Sequence, residues 1–277
     1  MIVITGATGN VGRALVPALA AAGERVTAVS RGPADLPSGV RHRPADLADP
    51  ESLRSAFDGA DALYLLVAGA GAHLNPRDIL DVAKAGGVRR VVLQSSQAAG
   101  TRPASPSHAP LRAIEDAVRE SGLDWTVLRP GGFASNAFAW APQVRDQRTV
   151  AAPFGDVALP TIDPADIAAV AAVVLRDGRH AGRTYELTGP APVSPRDRAA
   201  AIGGAIGAPV RFVEQSPAEA RAQLLGFMPA PVVDGTLAIL GAPTPAERRV
   251  SPDVERVLGR APRTFADWAR RNAAAFR

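Results

Sequence analysis

The chain of 277 residues has no cysteine, a single lysine at Lys84, and two tyrosines, Tyr64 and Tyr185. Without cysteine there is no disulfide, no thiolate metal site and no cysteine nucleophile, as befits a reducing compartment. No apolar run is long enough to span a bilayer, and no charged segment leads into an apolar one, because a strand-like run starts at residue 1. The expectation is a cytoplasmic protein without a membrane partner. The four histidines show no spacing with Asp or Glu that points to a metal site. The formal charge of +4 rests almost wholly on arginines scattered singly or in short pairs such as Arg89-Arg90 and Arg248-Arg249. Neither a basic helix nor interleaved aromatics accompany them, so no nucleic-acid partner is expected.

What is present begins at once. Met1-Ile2-Val3-Ile4-Thr5 is a β-branched apolar run that breaks into Gly6-Ala7-Thr8-Gly9-Asn10-Val11-Gly12. Val11, Leu15, Val16 and Leu19 then follow helical spacing up to Gly23. This is a strand turning sharply into a helix. Gly6 permits the turn, Gly9 lets the backbone approach a pyrophosphate, and Gly12 lets helix and strand pack closely. Amides at the helix start, aided by the macrodipole, would face the phosphates.

Through the first half, strands expected near 1–5, 25–30, 40–43, 62–67, 90–95 and 124–129 alternate with helices near 11–22, 50–57, 76–86 and 110–121. Such alternation predicts right-handed crossovers and an α/β fold, a Rossmann-type doubly wound parallel sheet with ligand at the carboxyl ends of its strands. Beyond residue 133 the pattern predicts a helix over 165–176, a last sheet strand at 184–187, and mostly helices over 194–277 with one short strand at 210–213. Residues 1–133 and 155–190 are expected to form the dinucleotide domain. A smaller, mainly helical lobe of residues 134–154 and 191–277 would bind substrate, with prolines at 190, 192, 195, 229, 231, 243 and 245 marking its joints.

The G-x-x-G-x-x-G spacing resembles the short-chain dehydrogenase/reductase superfamily. The segments Thr126-Val127-Leu128-Arg129-Pro130-Gly131-Gly132-Phe133, Asp163-Pro164-Ala165-Asp166-Ile167-Ala168 and Tyr185-Glu186-Leu187-Thr188-Gly189-Pro190 are similar to its atypical NmrA-like group, in that group's order. The resemblance covers nearly the whole chain. It implies an NAD(P)-binding fold, but the group holds both reductases and non-catalytic redox sensors.

The cofactor expected is NADP(H). An NAD site usually has an acid at the end of the second strand, whereas here Val29 is followed by Ser30 and Arg31, suited to a 2′-phosphate. The alternative for Arg31 is a solvated surface residue. Besides Gly6, Thr8, Gly9, Asn10, Val11 and Gly12, the resemblance implies an adenine cradle at Asp46 and Leu47, with capping of a nearby turn as the other role open to Asp46. It further implies Val67, Ala68, Gly69, Gln94 and Ser95 along the nicotinamide half, with the backbone of Pro130, Gly131, Gly132 and Phe133 passing the ring. Phe133 and Asn136 would border the substrate, and Phe138, Trp140, Phe227 and Met228 would add an apolar wall, unless these large residues are ordinary core.

The superfamily's usual Tyr-x-x-x-Lys pair is missing. Lys84 precedes the fifth strand, both tyrosines fall on expected strands, and Leu111 stands where relatives often carry Lys or His. Hydride addition to an ordinary ketone gives an alkoxide whose conjugate acid has a pKa near that of water, about 15.7, so a positioned acid matters. A quinone gives a phenolate-type anion with a pKa of roughly 10, which solvent can protonate. Enones, imines and azo groups are further electron-poor acceptors.

His108 is the foremost proton-donor candidate, set against a reading as an exposed loop histidine, with Ser95, Ser96 and His73 behind it. The leading expectation is an enzyme, an NADPH-dependent reductase of a small apolar conjugated substrate, acting as a monomer or homodimer. The alternatives are a non-catalytic NADP(H) sensor that signals through a protein partner, and an isomerase or lyase that uses bound nucleotide as a transient hydride acceptor.

Overall fold

A computed structural model of the chain describes residues 1–67 and 73–277. The first strand, β1 (Ile2–Thr5), is buried on both faces, and its Ile-Val-Ile run suits a parallel strand covered on two sides. It leads into α1 (Gly12–Ala21), then β2 (Val26–Ser30), β3 (Arg41–Pro44), α2 (Arg54–Phe57) and β4 (Ala62–Leu66). Next come α3 (Pro76–Ala85), β5 (Arg90–Gln94), α4 (Gln97–Thr101), α5 (Ala109–Glu120) and β6 (Asp124–Pro130). The expected helices and strands of this half are present to within a residue or two at their ends, except that the helix expected over 50–57 opens as a 3-10 turn, Pro50–Leu53, and is α-helical only from Arg54, and that the short α4 was not expected.

After a 3-10 segment, Ala134–Trp140, the chain forms α6 (Ala141–Gln147), β7 (Thr149–Ala152), α7 (Pro164–Arg176) and β8 (Arg183–Leu187). It ends with α8 (Pro195–Ile206), β9 (Arg211–Glu214), α9 (Pro217–Leu224), α10 (Ala230–Gly241), α11 (Pro245–Arg248), α12 (Asp253–Leu258) and α13 (Phe265–Arg271).

The main sheet has seven strands in the order β3-β2-β1-β4-β5-β6-β8, all parallel. The order reverses between β1 and β4, and a crevice outside the strand ends at such a switch is where doubly wound sheets bind ligands. The Thr5 hydroxyl fastens this edge, donating to the β4 carbonyls of Tyr64 and Leu66 (3.1 Å each) and accepting from the Leu66 amide (2.8 Å). Side chains alternate across the sheet. Ile2, Ile4, Tyr64 and Leu128 meet α1 and α7, while Val3, Leu63, Leu65 and Val127 meet α2, α3 and α5.

One strand escaped the sequence reading. Thr149–Ala152 pairs in parallel with β9 in a separate two-stranded sheet. Four residues of small and β-branched type carry too short a period to recognise without the partner.

After β8 the prolines do more than break the chain. Pro195, Pro217 and Pro245 open helices whose preceding Ser194, Ser216 and Thr244 form capping boxes with Asp197, Glu219 and Glu247. Phe138, Phe265, Trp268 and Phe276 pack together beneath α8. Buried carboxylates tie the C-terminal helices to earlier parts of the chain. Asp166 is bonded by Arg260 (2.7 Å) and Arg263, Asp163 by Arg271, and Glu247 by Arg102 (2.7 Å).

Candidate functional site

The glycine turn lies at the carboxyl end of β1. Gly6 has φ +64°, and a Cβ there would come within 2.7 Å of Leu66 Cδ2. A Cβ on Gly12 would run into the Gly6 carbonyl oxygen, so helix and turn are closer than any other residue allows. Gly9 donates its amide to the Gly6 carbonyl (3.0 Å) and accepts from the Arg13 amide (3.0 Å), while Thr8, Gly9 and Asn10 are exposed. Val11, at the N-cap of α1, offers the helix no side-chain cap, unlike the capped starts of α3, α7 and α8. The Arg13 and Ala14 amides are already bonded to the Gly9 and Val11 carbonyls, which leaves those of Asn10, Val11 and Gly12 to take phosphate oxygens. The turn therefore fits a pyrophosphate.

Beside it a cavity of about 620 Å³ runs between α1 and the loop after β2. Thr8, Arg13, Ser30 and Arg31 line it, with residues 32–37 closing the rim. Two guanidiniums thus flank the place expected for a 2′-phosphate. Arg13 was not singled out from the sequence, although a cation directly after the third glycine was there to be noticed. Asp35 also lines this cavity. The Ser30 hydroxyl donates to the Gly32 carbonyl (2.7 Å) and meets His42 Nε2 (2.9 Å), which shapes the loop and gives His42 a partner.

Asp46 takes the turn-capping role with one oxygen, Oδ1 accepting from the Ala48 amide (3.0 Å). Leu47 and Val67 pack against the core. Ala68 and Gly69 lie outside the described residues. Gln94 accepts the phenol of Tyr64 through its side-chain carbonyl. Burial raises the Tyr64 pKa strongly, so that phenol is a fixed donor inside the sheet. The other tyrosine, Tyr185, bonds His180 Nδ1 (2.7 Å) on β8, and Leu111 packs against the core of α5.

Of the four proton-donor candidates, His73 is exposed in the turn before α3. The Ser95 hydroxyl is buried and donates to Glu115 Oε1 (2.6 Å), within a cluster that Arg129 and Arg119 complete. Ser96 caps α4, its Oγ accepting from the Ala98 amide (3.2 Å). His108 is half-buried, and its Nδ1 meets Ser107 Oγ at 3.0 Å. Burial, then the neighbouring charges of Arg112 and Arg102, hold its pKa below the ordinary histidine value, despite the opposing effect of Glu247. It is a neutral imidazole at neutral pH.

The backbone after β6 is pinned on both sides. The Gly131 amide donates to the Leu187 carbonyl (2.9 Å), and the Gly132 carbonyl accepts from the Ile162 amide (2.9 Å). Pro130 is buried and Gly132 exposed. Phe133 packs partly against the core of the sheet. Three residues further on, a second cavity of about 570 Å³ opens between the 134–140 segment and helices α8, α9 and α10. Asn136, Trp140, Phe227 and Met228 line it. Phe138 does not, because its ring packs against Trp268 (centroids 4.9 Å apart) and Phe276 (6.0 Å).

Helix α10 separates this cavity from His108. Thr236, Leu237 and Leu240 face the cavity, while Gly235 meets Ser107, and the Ala238 and Ala242 carbonyls accept from Arg102. No cluster of metal-ligating residues and no helix able to cross a membrane occurs among the described residues.

Comparison with known proteins agrees with this layout. Residues 6–178 match the NAD(P)H-binding family. A (4-alkanoyl-5-oxo-2,5-dihydrofuran-3-yl)methyl phosphate reductase of Streptomyces griseus is 36% identical over 281 residues, 100% of this chain and 99% of the relative. An NAD(P)H azoreductase of Xenophilus azovorans is 32% identical with the same coverage. The crystal structure of an NADPH-dependent quinone oxidoreductase of Escherichia coli, complexed with NADPH, superposes with a TM-score of 0.82 at 27% identity, covering 98% of this chain and 99% of that one. The chain belongs to the NAD(P)H-binding proteins of the NmrA-like, atypical short-chain dehydrogenase/reductase group.

Proposed function

We propose that this NAD(P)H-dependent oxidoreductase uses NADPH to reduce a small, apolar, conjugated acceptor such as a quinone, enone or imine. The observation that carries the reading is an arginine-flanked cleft at the glycine turn combined with an acceptor side that has no Tyr/Lys pair. Bound NADPH supplies the hydride. The α1 amides and the Gly6–Gly12 turn hold the pyrophosphate, while Arg13 and Arg31 read the 2′-phosphate through charge-assisted bonds. The pinned Gly131-Gly132 backbone and Phe133 border the nicotinamide, and the cavity lined by Asn136 and Trp140 receives the acceptor.

Proton demand selects the acceptor. With Tyr64 locked to Gln94, Ser95 committed to Glu115, and His108 behind α10, the reduced product must be an anion that solvent can protonate. A phenolate-type quinol, with a pKa of roughly 10, meets that condition and a simple alkoxide does not. The Streptomyces griseus relative is named for a ring whose double bond is conjugated with both the ring carbonyl and the alkanoyl carbonyl. Hydride at the far carbon of such a bond leaves an enolate shared by two carbonyls, which needs no strong acid. The azo and quinone acceptors named for the other relatives are likewise electron-poor.

The test is loss of reduced-nicotinamide absorbance with quinones, doubly activated enones, imines, azo compounds and simple ketones. Turnover of the conjugated acceptors above the ketones is expected. Turnover of ketones alone, or nucleotide binding without turnover of any acceptor, would overturn the reading.

A further inference from the structure

The second cavity contains an unexplained charge. Arg198 stands in the first turns of α8, only 8% exposed, and is the one charged residue lining the cavity among the described residues. Its Nε has no hydrogen-bond partner. The neighbouring Asp197 acts on it through space but makes no hydrogen bond to it; its Oδ2 accepts the Ser194 amide (3.0 Å) and hydroxyl (2.7 Å). The guanidinium lies over the Trp140 ring, 5.4 Å from its centroid, a favourable contact that leaves the N–H edge unsatisfied. Ser135, also buried and also lining the cavity, has an unpartnered hydroxyl.

A buried cation without a bonded anion is costly. Arg90 too has an unpartnered Nε, but one of its terminal nitrogens donates to the Leu175 carbonyl (2.8 Å). Glu115, Asp166 and Glu247 each meet at least one arginine. Burial pushes the Arg198 pKa down to about 10, so the side chain remains a cation at neutral pH. The rest of the wall is apolar or neutral, including Phe154, Leu224, Leu237 and Leu240.

We propose that Arg198 is an anion anchor, and that this cavity takes acceptors bearing an acidic group, a phosphate monoester or a carboxylate, on an apolar body. The inference rests on the reading of the cavity as the acceptor side, and it narrows the acceptor from any apolar conjugated molecule to an acidic amphiphile. The anion pairs with the guanidinium edge that Trp140 leaves free, the Ser135 hydroxyl is a second donor nearby, and the apolar body fills the space toward α9 and α10.

Calorimetric titration of the full chain, saturated with NADP+ so that the cofactor's phosphate sites are filled, tests this without requiring turnover. The probes are hexyl phosphate, heptanoate, hexanol and hexyltrimethylammonium. Either acid should bind at least roughly tenfold more tightly than hexanol, with the cation weakest. Arg198→Met should lower acid affinity to the hexanol level, and Arg198→Lys should keep part of it. NADP+ affinity measured on the same variants reports that they are folded. Equal binding of acid, alcohol and cation by the unaltered protein overturns the proposal even if Arg198→Met does not fold, as does undiminished acid binding by that variant. Failure of the reductase reading would show only in the turnover assay, so the two outcomes are separable.

Discussion

Arg129 grips the carboxylate of Glu115 with two parallel bonds, Nε to Oε1 at 2.9 Å and a terminal nitrogen to Oε2 at 2.6 Å. The pair joins β6 to α5, and because Ser95 donates to the same carboxylate, it also fixes the end of β5 at the ligand edge. Glu115 is 1% exposed. Glu115→Ala should therefore destabilise the fold by about 3–5 kcal/mol, the cost of leaving a buried partner uncompensated. Urea denaturation of the two proteins measures it.

The same carboxylate makes stability depend on pH. Burial alone would raise the Glu115 pKa, but hydrogen bonds from Arg129, Ser95 and Arg119 outweigh it and hold the group below its usual value. A carboxylate with a lowered folded pKa contributes stability that is complete above the unfolded value, about 4.3, and is lost as the pH falls through the folded value. Glu247 has the same direction of shift, burial again being outweighed, chiefly by Arg102. The urea midpoint should fall with acidification, and less steeply in Glu115→Gln; an unchanged slope would show that other groups set the acid limit.

Arg31→Ala should weaken NADPH binding by about 1.5–3 kcal/mol, roughly ten- to a hundredfold in Kd, while NADH changes little. Arg13→Ala should act in the same direction, because both side chains line the cleft beside the turn. Equal losses for NADPH and NADH would show that neither arginine reads the 2′-phosphate.

Gly9→Val should abolish nucleotide binding while leaving a native circular dichroism spectrum. The residue is exposed and its φ is not left-handed, so a side chain is accommodated with only the Gly6 carbonyl close, 3.2 Å from the added Cβ. The same side chain would fill the space of the pyrophosphate. Binding that survives in a calorimetric titration would displace the assigned site.

His108→Ala should leave quinone turnover within about threefold of the original, with no new pH dependence near neutrality, since α10 stands between the imidazole and the acceptor cavity. A loss of roughly 10²–10⁴-fold, the scale of general-acid catalysis, would instead make His108 the proton donor.

The sequence by itself determined the sheet and its glycine turn. Residues 1–130 announce their elements because parallel strands buried on both faces are continuous apolar runs, and because Gly6, Gly9 and Gly12 meet a backbone requirement that is local in the chain. Arg31 was legible for the same reason, lying a fixed distance beyond that turn. Tertiary structure decided what depends on partners far along the chain. Thr149–Ala152 became a strand only because Arg211–Glu214 lies beside it. Ser95 was committed by Glu115, twenty residues on, and Phe138 was drawn away from the cavity by Trp268 and Phe276. Arg198 looks in the sequence like any arginine in a first helical turn. Its meaning comes from burial, which removes water from the guanidinium and leaves it facing a cavity without an anion of its own.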